Sequence, residues 1–425
     1  MAKEKTEQMS SFFDDLLSTP EALELFSERK LIGTMLRFEA ALARAQAKAG
    51  LIPESVAHSI IDTCKVELFD VGKIVRESAC TGSIAVPFVK ILKETVGLFN
   101  RGAADFVHLG SNSQDVVDSA MALVAREAVT LIERDVHKVV AVLLALAERH
   151  AAAPMLARTF MQPASVTSFG LKCASWAAPL LRSLQRLQIA SARALCLQLG
   201  GSVGTFADMG MAGKPLGPQV TAHMALELGL REPPFVWHTQ RDEWMALGCE
   251  LALLTGSLGK IAKDISLMVQ YEVGELVEPL EAGRGGASVV PYMRNPVSCI
   301  AALAAAQRAP HRVAGLLAAM PQEHERALGN WHAELAEWPG LVMSAHGAAR
   351  AVAQALSSLK VETRRMLTNL DAVRGKMPRD VVDKWFNPAL ADHCATLART
   401  QISFHASALQ ALLERSSAKK ALELP

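Results

Sequence analysis

From Asp115 to His150 the chain contains neither proline nor glycine. Nothing in that stretch stops a helix once it has started, and at 1.5 Å per residue it would run unbroken for roughly 50 Å. Within it Val117, Met121, Val124, Ala128 and Leu131 recur at spacings of 4, 3, 4 and 3. Leu254, Leu258, Ile261, Ile265 and Met268 repeat the pattern further along. That near-heptad spacing is what a left-handed helical bundle needs. Similar stretches at about 164–198, 237–280, 296–320 and 323–358 predict more long helices, two of them kinked by Pro179 and Pro310. Several are apolar on more than one face, so their flanks need cover from other subunits. The segments before about 105 and after about 360 are more broken and read as smaller helical caps.

Composition narrows the function classes. The formal net charge of the 425 residues is +1, which favours neither nucleic acid nor an anionic membrane. The start, "MAKEKTEQMSSFFDD", is charged and lacks the apolar core of a secretory leader. The longest unbroken apolar run, "VVAVLLALA" at 139–147, is too short to span a bilayer. Seven scattered cysteines without a CxxC pair fit reduced thiols, so a cytoplasmic protein is expected.

Three connections between helices could hold chemistry. In "VHLGSNSQDVVDSA", residues 107–120, Gly110 breaks the chain, Asn112 or Ser113 can cap, and Asp115 sits in the first helical turn. The same N–H groups could hold an anion, with His108 beside them. In "RTFMQPASVTSFGLK", residues 158–172, Arg158, Thr159, Gln162 and Lys172 surround a helix start, and a solvated loop is the plainer reading. In "GRGGASVVPYMRNP", residues 283–296, three glycines allow close backbone approach, Arg284 and Arg294 can pair with carboxylates, and Pro296 holds Asn295 extended. Its spacing matches neither a phosphate-binding loop nor a dinucleotide fingerprint. "WHTQRDEW" at 237–244 reads as a cap plus a weak surface salt bridge, with His238 a further binding candidate. His324 and His332 are not at the i, i+4 spacing of a helical zinc pair, although they could share a helix face.

Together these segments resemble the fumarase/aspartase superfamily of lyases. "LGGSVGT", "WHTQRD", "GSLGKIAKDISLMVQYEVGE" and "AAMPQEHERALGNWHAE" are most similar to its 3-carboxy-cis,cis-muconate cycloisomerase branch, over roughly residues 10–375. The resemblance implies an all-α fold of three domains, 1–105, 106–358 and 359–425, whose central bundles form a 20-helix core in a homotetramer. It implies no metal or organic cofactor, a small carboxylate as substrate, and active sites shared between subunits. Chemistry in the superfamily is addition or elimination beside a carboxylate, with a base, an acid and donors that stabilise the dianion.

The reacting centre departs from the pattern. The family loop reads Gly-Ser-Ser-x-Met-Pro-x-Lys-x-Asn, whereas here the first serine is Ala287 and the lysine is Met293. The histidine of Arg-Thr-x-x-Gln-His-Ala is Pro163, and the threonine of the first segment is Asn112. Alanine cannot take a proton and methionine cannot neutralise a carboxylate. The expected base is therefore Ser288, Tyr292 or His108. Ser111, Asn112, Ser113, Gln114, Arg158, Thr159, Gln162, His238, Arg284, Arg294 and Asn295 are the expected substrate-binding residues. A lyase or cycloisomerase acting on a less anionic substrate, a true carboxymuconate cycloisomerase with a substitute base, and a non-catalytic homologue all remain open.

Overall fold

The computed structural model describes residues 17–211, 214–278 and 295–422. It is built almost wholly of helices: α1 Pro20–Leu25, α2 Glu28–Lys48, α3 Glu54–Thr63, α4 Val71–Thr81, α5 Ala85–Phe99 and α6 Ser113–Arg149, then α7 Phe169–Ala194, α8 Gly217–Leu228 and α9 Asp242–Met268. They continue with α10 Val297–Ala319, α11 Asn330–Ser357, α12 Thr363–Arg374, α13 Arg379–Trp385 and α14 Leu390–Leu422. The all-helical expectation holds, and α6 fills almost the whole stretch predicted from the absence of Pro and Gly. Each heptad residue named above is buried in α6 or α9, apart from Leu131, which is half-buried. Helices α7 and α10 run through Pro179 and Pro310, and α11 runs through Pro339. Each proline removes one backbone hydrogen bond from its helix.

Two compact units divide the chain. One comprises residues 1–130, 189–249 and 312–343; the other comprises 131–188, 250–311 and 344–425. In the first, side-chain caps start the shorter helices: Thr19 accepts from Ala22 N–H, Ser27 from Lys30 N–H and Asp70 from Lys73 N–H. Helix α2 buries Ile32, Met35, Leu36, Phe38 and Leu42 on one face. That face also carries two polar residues, Glu39 and Gln46, which matter below.

In the second unit, residues 158–168 are not a solvated loop. They belong to a hairpin of β1 Pro154–Thr159 and β2 Gln162–Ser168. Leu156 faces Val166, Thr159 faces Gln162, and the register slips between Ala157 and Arg158, opposite Pro163. Proline has no N–H for the ladder, so it is tolerated at such an irregularity. Leu156 and Val166 pack with Leu370, Phe386 and Ala391. Phe160 and Met161 form the tip, both at positive φ (50° and 65°). A two-residue hairpin turn needs that geometry, and Asn-Gly usually supplies it.

Helix α9 is long and apolar enough, by length and composition, to cross a membrane, which no unbroken apolar run in the sequence suggests. Just over half of its most apolar stretch is buried within the protein, as in the core helix of a bundle. All seven cysteines are free, and burial pushes the Cys299 thiol up to about 12.

The joint from α6 through the hairpin to α7 depends on Gly170. Its N–H donates to His150 O at 2.9 Å. A Cβ there would lie 2.4 Å from Ala147 O and 2.5 Å from Ala151 Cα. Both are backbone atoms and cannot swing away. Gly170→Ala is expected to lower unfolding free energy by about 1–3 kcal/mol, measured by urea denaturation followed by circular dichroism.

Candidate active site

In the first unit, the turn before α6 is gripped from two sides. His108 adopts φ 63° and Gly110 φ 65°. A Cβ on Gly110 would meet Met209 Cγ at 2.6 Å, so a side chain is excluded there as well as disfavoured. Asn112 Oδ1 accepts from Gln114 N–H at 3.2 Å, capping α6 as the sequence suggested. From α2, Gln46 Nε2 donates to Leu109 O at 2.7 Å, and Glu39 Oε1 lies 2.6 Å from His108 Nδ1. The two α2 residues are seven apart, about two helical turns, so one face reaches both ends of the turn.

Behind the turn lies a buried polar network. Asp115 Oδ1 is 2.6 Å from His238 Nε2, and Asp115 Oδ2 accepts from Gly201 N–H at 2.9 Å. Gln114 Nε2 donates to His238 O at 2.8 Å and to Asp118 Oδ2 at 3.1 Å. Its Oε1 accepts from Arg326 at 2.9 Å, and Arg326 also donates to Gly201 O and Ser202 O. Arg241 donates to Asp118 Oδ2 at 2.7 Å and to Glu334 Oε2 at 3.0 Å, with a further short contact to Glu334 Oε1. Trp331 Nε1 donates to Asp118 Oδ1, and Arg241 stacks 4.5 Å from the Trp237 ring centroid.

Several sequence expectations change here. Arg241 is no weak surface bridge: its side chain is fully buried between two carboxylates. Gln114 and His238, expected to bind substrate, are buried and hydrogen-bonded inside the protein, where they hold the start of α6 and the 198–202 segment in place. His324 and His332 do not share a helix face, because α11 begins only at Asn330. His332 Nε2 instead lies 2.8 Å from Gly82 O.

In front of the turn is a pocket of about 460 Å³ lined by Ala85, Val86, Val89, Lys90, Lys93, Glu94, His108 and Ser113. Nδ1 of His108 is engaged by Glu39, which leaves Nε2 for the pocket. Burial alone would push the imidazole pKa down. The charge and hydrogen bond of Glu39, helped by Asp115, outweigh both burial and Lys93, so the pKa lies above the ordinary histidine value. Near His108, the Ser111 hydroxyl oxygen is buried with no hydrogen-bond partner among the described residues.

In the second unit, Arg158 makes two parallel hydrogen bonds to Glu275, at 2.7 and 3.0 Å. Glu275 is fully buried and also accepts from Asn369 at 2.9 Å. The guanidinium expected to hold substrate therefore ties the hairpin to the Glu275 segment. Thr159 and Gln162 close the hairpin next to its exposed tip. Lys172 lies 3.7 Å from Asp264 and near the Trp176 ring. Asn295 stands at the start of α10, where its carbonyl accepts from Val297 N–H at 2.8 Å. Arg284, Ser288, Tyr292 and Arg294, with Ala287 and Met293, lie outside the described residues.

Glu39, Asp118, Arg326, Glu334 and Lys93 escaped sequence reading. Glu39 had a signal: it is a carboxylate in the apolar stripe of an amphipathic helix, where an unpaired charge is costly. Asp118 sits one turn after Gln114 on α6 and showed none, because Arg241 and Trp331, which hold its carboxylate, come from distant parts of the chain.

The lyase family profile matches residues 17–310. A 3-carboxy-cis,cis-muconate cycloisomerase of Pseudomonas aeruginosa is 42% identical over 88% of this chain and 80% of its own length. A nitrosuccinate lyase of Streptomyces davaonensis is 37% identical over 90% of this chain and 81% of its own. The crystal structure of the 3-carboxy-cis,cis-muconate lactonizing enzyme from Pseudomonas putida superposes with a TM-score of 0.84 at 34% identity, covering 95% of this chain and 100% of that one.

The Asp118–Arg241–Glu334 triad sets an expectation for stability. Arg241→Met would leave two buried carboxylates without their cation. It should cost about 3–5 kcal/mol, read as a lower denaturation midpoint in urea. The triple variant Asp118→Asn, Arg241→Met, Glu334→Gln should recover part of that loss.

Proposed function

Because the chain belongs to the fumarase/aspartase superfamily of lyases, we propose that it is a divergent carboxymuconate cycloisomerase-like enzyme. It acts by addition or elimination on a small unsaturated carboxylate less anionic than 3-carboxy-cis,cis-muconate. The observation that carries this reading is a contrast. The scaffold that fixes the turn before α6 is intact and densely hydrogen-bonded. The positions that would handle a proton and a second negative charge hold Ala287, Met293 and Pro163. Removing a buried cation while keeping a dianionic ligand costs several kcal/mol. Methionine in place of lysine and proline in place of histidine remove positive charge from the pattern, which suits a ligand with fewer negative charges.

The same reading includes a homotetramer with sites shared between subunits, a cytoplasmic location, and the division into domains 1–105, 106–358 and 359–425. Phe160 is 99% exposed and Met161 69% exposed in the single chain. An apolar tip held at positive φ gains by being covered, and a neighbouring subunit would cover it. Ser288, Tyr292 and His108 are the candidate proton-handling groups.

A second reading is favoured by the 42% identity to a 3-carboxy-cis,cis-muconate cycloisomerase. Intramolecular attack by a held carboxylate needs less help from a base, since proximity supplies much of the barrier reduction. One assay separates the two. Purified protein is expected to leave the ultraviolet absorbance of 3-carboxy-cis,cis-muconate unchanged, while a panel of monoanionic unsaturated acids yields a substrate. On that substrate, loss of the true proton-handling group among Ser288→Ala, Tyr292→Phe and His108→Ala should lower kcat by about 10²–10⁴-fold. Turnover of 3-carboxy-cis,cis-muconate at the rate of the Pseudomonas aeruginosa relative would replace the first reading with the second.

A further inference from the structure

Glu39 is the one strongly acidic side chain on the buried stripe of α2. Its side chain is fully buried, and Oε2 has no hydrogen-bond partner among the described residues. Oε1 faces His108 Nδ1 at 2.6 Å. A carboxylate so enclosed is stable as an anion only with a cation beside it, and the imidazole is the group in contact. The ring is itself held on a backbone turn at φ 63°, supported by Gln46 through Leu109 O. Both nitrogens are then determined: Nδ1 bears the proton directed at Glu39, and Nε2 is the nitrogen left for the pocket.

The pocket offers a second cation. Lys93 and Lys90 both line it, with Glu94 as the acidic residue of the lining. Lys93 is close enough to His108 to oppose its protonation. Ser113 begins α6, a long helix whose N-terminal N–H groups and dipole also favour negative charge. The charged groups facing His108 are thus Glu39 from α2, Asp115 from α6 and Lys93 from α5. Arg44 lies further along α2, near Cys64, whose thiol Glu39 also influences.

We propose that Glu39 is a positioning residue for His108, and that the imidazolium it maintains joins Lys93 in a site for one carboxylate group of the ligand. This rests on the reading of the protein as a carboxylate-directed lyase and assigns the end of the pocket that holds the anion. It also gives His108 the part of a cation or acid and leaves proton abstraction to another group. A histidine held charged is a poor base near neutral pH.

The test needs no turnover, so it stays informative even if the true substrate is never found. The full-length protein is labelled with ¹³C at histidine Cε1 and titrated by NMR, with His108→Gln assigning the resonance and fumarate as the probe. In the wild type, His108 is expected to titrate above 6.5, and saturating fumarate should raise that value further. In Glu39→Gln the midpoint should fall by about 1–3 pH units, and fumarate affinity at pH 7 should drop about tenfold or more. Lys93→Met alters a solvent-exposed side chain and should weaken fumarate binding while leaving the fold intact, which keeps the test valid if Glu39→Gln fails to fold. If Glu39 has only a structural part, Glu39→Gln lowers stability but leaves the fumarate response unchanged, and that result overturns the proposal. Fumarate binding that is indifferent to Lys93→Met and does not move the His108 midpoint overturns it too.

Discussion

The ion pairs around Arg241 are the constraint on which the first unit depends. A guanidinium with no solvent exposure lies between Asp118 and Glu334, flanked by the Trp237 ring and the Trp331 N–H. Burial pushes the Glu334 carboxyl up in pKa while Arg241 pulls it down, and burial wins. Such a cluster gains its net stability only when each member has its partners. It therefore fixes α6, the 237–241 segment and the start of α11 at one spacing, and that spacing lets Gln114 and Asp115 reach their own partners one turn earlier along α6.

From there the order extends to the site. Asp115 holds His238 and the Gly201 N–H, and Arg326 closes the other side through Gln114 and two carbonyls. These bonds fix the first turn of α6. The preceding turn, with His108 and Gly110 at positive φ, is gripped from α2 by Glu39 and Gln46. A backbone in that conformation persists only where its surroundings over-determine it. In the second unit, Arg158 and Glu275 serve in the same way close to the end of the hairpin, while its tip carries exposed apolar side chains.

Long-range periodicity was the legible part. The helices were readable because a 3–4 spacing of apolar residues, uninterrupted by Pro or Gly, has one stable outcome. The motif resemblance gave the superfamily, and the family match and the superposition on the Pseudomonas putida enzyme agree with it. The hairpin was not readable, because Phe160-Met161 lacks the Asn-Gly signature of a tight turn. The importance of Arg241 was also hidden. "WHTQRD" shows a charged residue near a helix start, which is usually solvated, and its two carboxylates lie more than ninety residues away in the chain.

By itself, the sequence determined that this chain forms long bundle helices and that it carries the motifs of a lyase superfamily; the substitutions read at Ala287, Met293 and Pro163 belong to the proposal. These are properties of residue identity and spacing, which exist before folding. Only the tertiary structure decided which polar residues find partners inside the protein and which line a pocket. Gln114, His238 and Arg158 find partners inside the protein, whereas His108 has a buried carboxylate behind it and Lys93 before it. The charge state of an imidazole depends on neighbours at ångström range, and for His108 the decisive neighbour, Glu39, is 69 residues away along the chain.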